Sequence, residues 1–366
     1  MECWKKVICN SHTEEELKRL RVDVPDNGIY KKVLKNWDSI AKPLDGMGRF
    51  EILTAQIGAA AGTDDICISR KAVIVMCSDN GIVEEGISQS GQEITALVAR
   101  QIAMGNSSVG KMAAAIGADV IPIDMGINQK ESVPGVLNRR IRRGTRNFRK
   151  EPAMTREEAV RAVFTGIQTV WECKEKGYDI LATGEMGIGN TTTSSAVAAA
   201  LLNCSAKTVV GRGAGLSDEK LAHKQLIIED AIDKYQLTGA EPLKVLESVG
   251  GYDIAGLAGV CIGGGLYHMP VVLDGVISMT AALLAQRLVP GTVRYLIPSH
   301  KGKEPAVKRI MEELKLEPVI DGGMALGEGT GAVMMLDLLD LALKIYNGRN
   351  TFSDIQIEPY ERYSDR

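Results

Sequence analysis

Residues 179–193 read Asp-Ile-Leu-Ala-Thr-Gly-Glu-Met-Gly-Ile-Gly-Asn-Thr-Thr-Thr. An apolar run from Asp179 to Thr183 enters a turn holding Gly184, Gly187 and Gly189, and Asn190 and Thr191 then open an Ala-rich stretch. That order predicts strand, glycine turn and helix. Glycines let backbone approach a ligand closely, and the exposed N–H groups of such a turn, with the helix dipole behind them, favour a phosphate. The spacing Gly184-x4-Gly189 is that of a nucleotide phosphate loop, but Asn190 stands where a lysine would meet the β- and γ-phosphates. A monophosphate suits this loop better than a triphosphate. Glu185 adds an acid where a ligand would sit. The plainer reading is a turn that only packs helix against strand.

The same unit repeats outward from residue 71. Strands are expected at Ala72–Cys77, Val120–Asp124, Asp179–Thr183, Met269–Leu273, Val293–Ile297 and Pro318–Ile320. Helices are expected at Gln92–Met104, Thr155–Lys176, Thr191–Leu202, Ser217–Tyr235, Ile277–Arg287 and Gly329–Tyr346. Ala72–Cys77 is unbroken apolar, the pattern of a parallel strand covered on both faces. The alternation predicts an α/β fold, a Rossmann-like parallel sheet flanked by helices, with ligands beyond the carboxyl ends of the strands. Residues 40–345 are assigned to this α/β domain. The charged, helix-forming start (Glu14–Arg21, Tyr30–Ala41) and the polar tail are expected to meet as a small helical subdomain of residues 1–39 and 346–366.

Composition narrows the class. The 366 residues are 45% hydrophobic and 24% charged, so the chain is long and apolar enough for a large core without staples. Four per cent aromatics and 39 glycines favour small aliphatic packing with many tight turns. Forty-three basic against 46 acidic residues leave no nucleic-acid footprint in the total. The run Arg139-Arg140-Ile141-Arg142-Arg143, with Arg146 behind it, is either a solvated rim or part of an anion site. The seven cysteines contain no C-x-x-C pair and the four histidines no i,i+4 pair, so neither a metal site nor a disulfide framework is expected. No signal segment or bilayer-spanning run is read, and the expected location is the cytoplasm.

Three further segments carry candidate chemistry. Val209-Val210-Gly211-Arg212-Gly213 leads into a stretch with Lys224, and Gly263-Gly264-Gly265 is a third glycine run. Together with the Gly184 loop they suggest one ligand cradle, in which Lys224 either meets a phosphate or is a surface lysine. Leu326-Gly327-Glu328-Gly329-Thr330-Gly331 precedes an apolar helix. Glu328, between glycines, is either a dipole-stabilising acid at a helix start or a general base at the mouth of the sheet.

These segments together resemble the nicotinate-nucleotide–dimethylbenzimidazole phosphoribosyltransferase family. The resemblance rests on GEMGIGNTTTSS (residues 184–195) and LGEGTGA (326–332), supported by Lys42–Glu51, Ser78-Asp79-Asn80-Gly81, Gly86-Ile87-Ser88, Ile123–Gly126 and Gly144–Asn147. It implies transfer of phosphoribose from nicotinate mononucleotide to 5,6-dimethylbenzimidazole, with inversion at the anomeric carbon, as a step of cobalamin nucleotide-loop assembly. It further implies no cofactor and no metal, small-molecule partners only (no nucleic acid, no membrane) and a homodimer. Glu328 falls on the family's general base and Glu185 on a second active-site carboxylate. Substrate contacts are expected from Ser88, Gln92, Gly187, Gly189, Asn190, Thr191, Gly211, Gly213, Lys224, Gly265 and Leu326.

The chain departs from the family pattern at Asn80, where histidine is common, at Gly46-Met47, and at Gln89-Ser90-Gly91, where an aromatic is missing. These departures bear on the acceptor, so a related transferase using adenine or a phenol is the alternative. A nucleotide kinase or hydrolase would need the lysine that Asn190 replaces. A non-catalytic nucleotide sensor would not need both Glu185 and Glu328.

Overall fold

The structure, a computed structural model, describes residues 12–213 and 215–363. Strand β1 (Lys71–Ser78) is buried at every position. It pairs in parallel with β2 (Asp119–Gly126) on one side and with β4 (Ile180–Met186) on the other. The short strand β3 (Leu137–Asn138) extends the sheet beyond β2, and β5 (Val271–Leu273) and β6 (Leu296–Pro298) extend it beyond β4, giving a parallel sheet in the order 3-2-1-4-5-6. Strand order reverses between β1 and β4. Chain leaving these two neighbours diverges there and opens a crevice at their carboxyl ends.

Alternate β1 residues feed two cores. Ala72, Ile74 and Met76 pack under α6 (Arg156–Glu175) and α10 (Tyr252–Leu266). Val73, Val75 and Cys77 pack under α4 (Glu93–Ala103), α5 (Ser108–Ala115) and α13 (Thr330–Gly348). The parallel α/β architecture read from the sequence is what the chain forms, with strand ends shifted. Thr292–Tyr295 forms a 3-10 turn held by Gln286, whose side-chain oxygen accepts the N–H groups of Gly291 and Val293, so β6 begins only at Leu296. The expected strand Pro318–Ile320 reduces to one bridge, Ile320 to His300. The arginine run is structural: Arg140 pairs with Asp124 at 2.6 Å, Arg146 with Glu158 at 2.7 Å and Arg139 with Glu172 at 2.9 Å.

The Gly263–Gly265 run corrects the expectation of a third ligand loop. It lies inside the buried helix α10, and Gly265 abuts Val22, away from any loop at the strand ends. Its helix needs glycine for close packing rather than for a turn. A side chain on Gly259 would drive into the Val163 carbonyl of α6, and one on Gly166 into the Gly256 carbonyl, so the two backbones cross in direct contact.

At the chain ends lie α1 (Glu14–Arg19), α2 (Asn27–Ser39) and α3 (Arg49–Ala61). The tail returns to them through an antiparallel bridge of Thr351 with Ile40, and Arg362 bonds Asp38 at 2.8 Å and Asp45 at 2.9 Å. Val33, Trp37 and Ile40 bury in the same core as Val73, Val75 and Cys77. Residues 1–11 and 364–366 of the expected terminal piece fall outside the described residues.

Alanine ordinarily stabilises a helix over glycine by up to about 1 kcal/mol. At the α6–α10 crossing the sign should reverse. Gly259→Ala is expected to cost about 1–3 kcal/mol through overpacking, read as a lowered Tm, and a Tm equal to or above wild type would show that the helices do not touch there.

Candidate active site

The carboxyl ends of β4, β5 and β6 open into a cavity of about 260 Å³. Of the residues named from the sequence, Glu185, Gly187, Asn190, Thr191, Gly213 and Leu326 line it. Asp274, His300 and Glu304 also line it and were not named. Two of these had a readable signal. Asp274 directly follows the apolar run Val271–Leu273, and His300 stands two residues after Leu296–Pro298, both at the carboxyl ends where ligands bind.

Glu328 reaches the site through backbone contact. A side chain on Gly184 would collide with the Glu328 carbonyl, so only glycine lets the 327–329 turn lie directly on β4. Gly327, Glu328 and Gly329 have φ of 86°, 61° and 100°, a left-handed run that puts a carboxylate-bearing residue into a conformation suited to glycine. The buried Asp274 carboxylate anchors this turn, accepting N–H groups from Gly329 (3.1 Å), Gly331 (2.8 Å) and Ala332 (3.2 Å) at the start of α13. The Glu328 carboxylate is less open than its glycine neighbours suggest. Its Oε2 accepts the Val109 N–H at 3.1 Å, at the first turn of α5.

Four carboxyls gather at the strand ends. Asp79, Asp253 and Asp274 are almost wholly buried, and Glu185 is enclosed except where it faces the cavity. Burial pushes Asp79 up to about 6, Asp253 up to about 7 and Glu185 up to about 8, and it raises Asp274 as well, against the pull of His300. Like charges add to the rise, since Asp253, Asp274 and Glu328 all repel charge on Glu185. Asn190, at the first turn of α7 (Asn190–Leu201), donates its amide to Glu185 in a short hydrogen bond and also faces Asp253.

At the other end of the cavity a buried lysine lies behind the lining residue Thr191. Lys224, on α8 (Asp218–Tyr235), is fully buried, which removes its reading as a surface lysine. Its Nζ donates to Thr191 Oγ1 at 3.1 Å and to the Gly211 carbonyl at 3.3 Å. Desolvation lowers it to about 8, partly offset by attraction to Glu304. Gly189, in a left-handed conformation (φ 92°), starts α7 beside it.

Ser88 and Gln92 stand on the β1 side. Gln92 donates to the Asn80 carbonyl at 3.1 Å and accepts from the Asn128 amide at 2.9 Å. Asn80 is buried, its side chain accepting from Thr193 and donating to the Ser78 carbonyl. Gly265 is not brought here. Among the described residues one carboxylate trio, Asp38, Asp45 and Glu51, has metal-ligand spacing, but Arg362 and Lys42 hold it, far along the chain from this crevice.

A carboxyl whose folded-state pKa lies above its unfolded value favours the folded state at low pH. That advantage is lost as pH climbs through the folded pKa. For Asp253 the window runs from the ordinary 3.8 to about 7. Asp253→Asn removes the ionisation, so it should raise Tm by roughly 2–4 °C at pH 8 and by much less at pH 5. Equal shifts at both pH values, or a loss at pH 8, would contradict the buried charge.

Known proteins share this architecture. A family model described as phosphoribosyltransferase matches residues 22–357. A nicotinate-nucleotide–dimethylbenzimidazole phosphoribosyltransferase of Acetivibrio thermocellus is 44% identical over 337 residues, covering 91% of this chain and 96% of the relative. One of the same name from Ruminiclostridium cellulolyticum is 43% identical, covering 90% of this chain and 94% of the relative. The crystal structure of CobT from Thermus thermophilus superposes with a TM-score of 0.86 at 34% identity, covering 91% of this chain and 100% of that one. Likeness of this degree along nine-tenths of its length makes the chain a member of the nicotinate-nucleotide–dimethylbenzimidazole phosphoribosyltransferase family.

Proposed function

We propose that the protein transfers phosphoribose from nicotinate mononucleotide to 5,6-dimethylbenzimidazole, releasing nicotinate and forming α-ribazole 5′-phosphate, in the cytoplasm and as a homodimer. The observation that carries this reading is the polarity across one cavity: the carboxyls of Glu185 and Asp274 line it at the strand ends, and Thr191 and Gly213 line the other end with the buried Lys224 bonded behind Thr191. A nicotinate nucleotide has the complementary polarity, a cationic glycosyl pyridinium joined to an anionic phosphate. A glycosyl transition state with oxocarbenium character needs negative charge near the anomeric carbon and a phosphate anchor away from it.

The roles follow from position. Lys224, Thr191 and the Gly211–Gly213 loop hold the phosphate. Glu185, mostly protonated at neutral pH before substrate binds because burial raises it to about 8, releases its proton when a cationic substrate arrives beside it. The C1′–N bond to nicotinate breaks, its electron pair neutralising the pyridinium ring, while a benzimidazole nitrogen bonds C1′ from the opposite face. Glu328 takes the proton from the other benzimidazole nitrogen, its carboxylate oriented by the Val109 N–H. Supporting the homodimer, α13 exposes Met334, Leu341 and Ile345 along one face, and this helix begins two residues after Glu328.

Purified protein with nicotinate mononucleotide and a panel of benzimidazoles, adenine and phenols, analysed by mass, should give a ribosylated base and nicotinate. No product from any base, or preference for adenine or a phenol, refutes the stated reaction or its acceptor respectively. Glu328→Gln should lower turnover by about 10²–10⁴-fold with little change in nucleotide affinity, whereas near-wild-type turnover moves the base elsewhere. Lys224→Ala should weaken nucleotide binding by roughly 1.5–3 kcal/mol, and unchanged affinity removes it from the phosphate site. Light scattering should give about twice the 39.4 kDa chain mass; a particle of chain mass contradicts the dimer.

A further inference from the structure

Glu304 precedes α12 (Pro305–Leu314) and turns its carboxylate back into the phosphate end of the cavity. Its Oε1 accepts the Gly213 N–H at 3.1 Å. The carboxylate also fills the space beside Gly211 so fully that a side chain there would run into it. The buried Lys224 donates to two neutral oxygens, one of them the Gly211 carbonyl, and its attraction to Glu304 opposes its desolvation. Among the described residues no lysine or arginine pairs directly with Glu304. A side-chain anion therefore sits on a backbone N–H donor beside a buried cation, the arrangement that binds a phosphate oxygen.

We infer that Glu304 is an internal surrogate for the substrate phosphate: its carboxylate occupies the cradle of Gly211, Gly213 and Lys224 before substrate binds, and the incoming phosphate displaces it. This rests on the reading of that cradle as the phosphate site. One lysine cannot neutralise both a dianionic phosphate and a carboxylate packed against it, and the two cannot share the Gly213 N–H. Displacement is sterically simple. Glu304 makes no side-chain bond to α12, whose start is set by Pro305, so its carboxylate can swing out without unwinding the helix. The surrogate keeps the loop ordered without ligand and makes Glu304 a determinant of anion affinity: small monoanions compete poorly against a tethered carboxylate, whereas a dianion prevails.

Calorimetric titration of the full chain with inorganic phosphate, and then with nicotinate mononucleotide, tests this in wild type, Glu304→Gln and Lys224→Ala. Removing the competing charge should tighten phosphate binding roughly tenfold in Glu304→Gln, while Lys224→Ala weakens it. Weakened binding in Lys224→Ala with unchanged or weaker binding in Glu304→Gln overturns the surrogate role alone. Unchanged binding in Lys224→Ala overturns the phosphate-site reading itself. Hydrogen exchange on the wild-type protein needs no variant: saturating phosphate should slow exchange at residues 211–213, where it replaces the carboxylate on the Gly213 N–H. Unaltered exchange at 211–213 under saturating phosphate counts against displacement.

Discussion

The Asp274 carboxylate leaves the end of β5 without access to water and accepts three backbone N–H groups at the start of α13. A buried carboxylate is costly unless it is hydrogen-bonded, and the unpaired N–H groups of a helix start are natural donors to it. Satisfying both at one point pins a 19-residue helix against the sheet. It also sets the turn that carries Glu328. Thr183 extends the tie, donating to the Val272 carbonyl and accepting the Asp274 N–H, so β4, β5 and α13 meet as one unit. The direct seating of the Glu328 turn on Gly184 of β4 depends on this knot.

Charge in the site is separated rather than paired. Arg140, Arg146 and Arg362 are committed to carboxylates elsewhere. The acids at the strand ends meet no lysine or arginine among the described residues, and Lys224 meets no carboxylate within hydrogen-bonding distance. Asp274 and Lys224 are buried away from water and Glu185 is largely so, their charges held without an ion pair or displaced onto protons. That state is stabilised when a ligand of matching polarity enters. Glu304 belongs to the same arrangement of charge, since its attraction opposes the desolvation of the buried Lys224.

The fold was largely legible because it is written in local order. An apolar run such as Ala72–Cys77, a glycine turn and a capped helix each depend on near neighbours, and the strand–turn–helix of residues 179–202 forms almost where its residues indicate. Misreadings arose where one residue type serves two purposes. Glycines 263–265 look like a turn, but their lack of Cβ is used for packing inside α10. Pro318–Ile320 looks like a strand, but only Ile320 finds a partner on the sheet.

The sequence by itself determined the parallel α/β class, the glycine loop at Gly184, and the candidacy of Glu185, Glu328 and Lys224, because periodicity, turn chemistry and motif spacing are properties of contiguous residues. Tertiary structure alone decided which of these meet. The burial that raises Glu185, and the charges of Asp253, Asp274 and Glu328 that add to it, are brought together from three distant segments. Lys224 passed from surface to interior, and the carboxylate opposite it came from Glu304, 80 positions along the chain. Desolvation and charge proximity are functions of three-dimensional distance, and no local pattern encodes them.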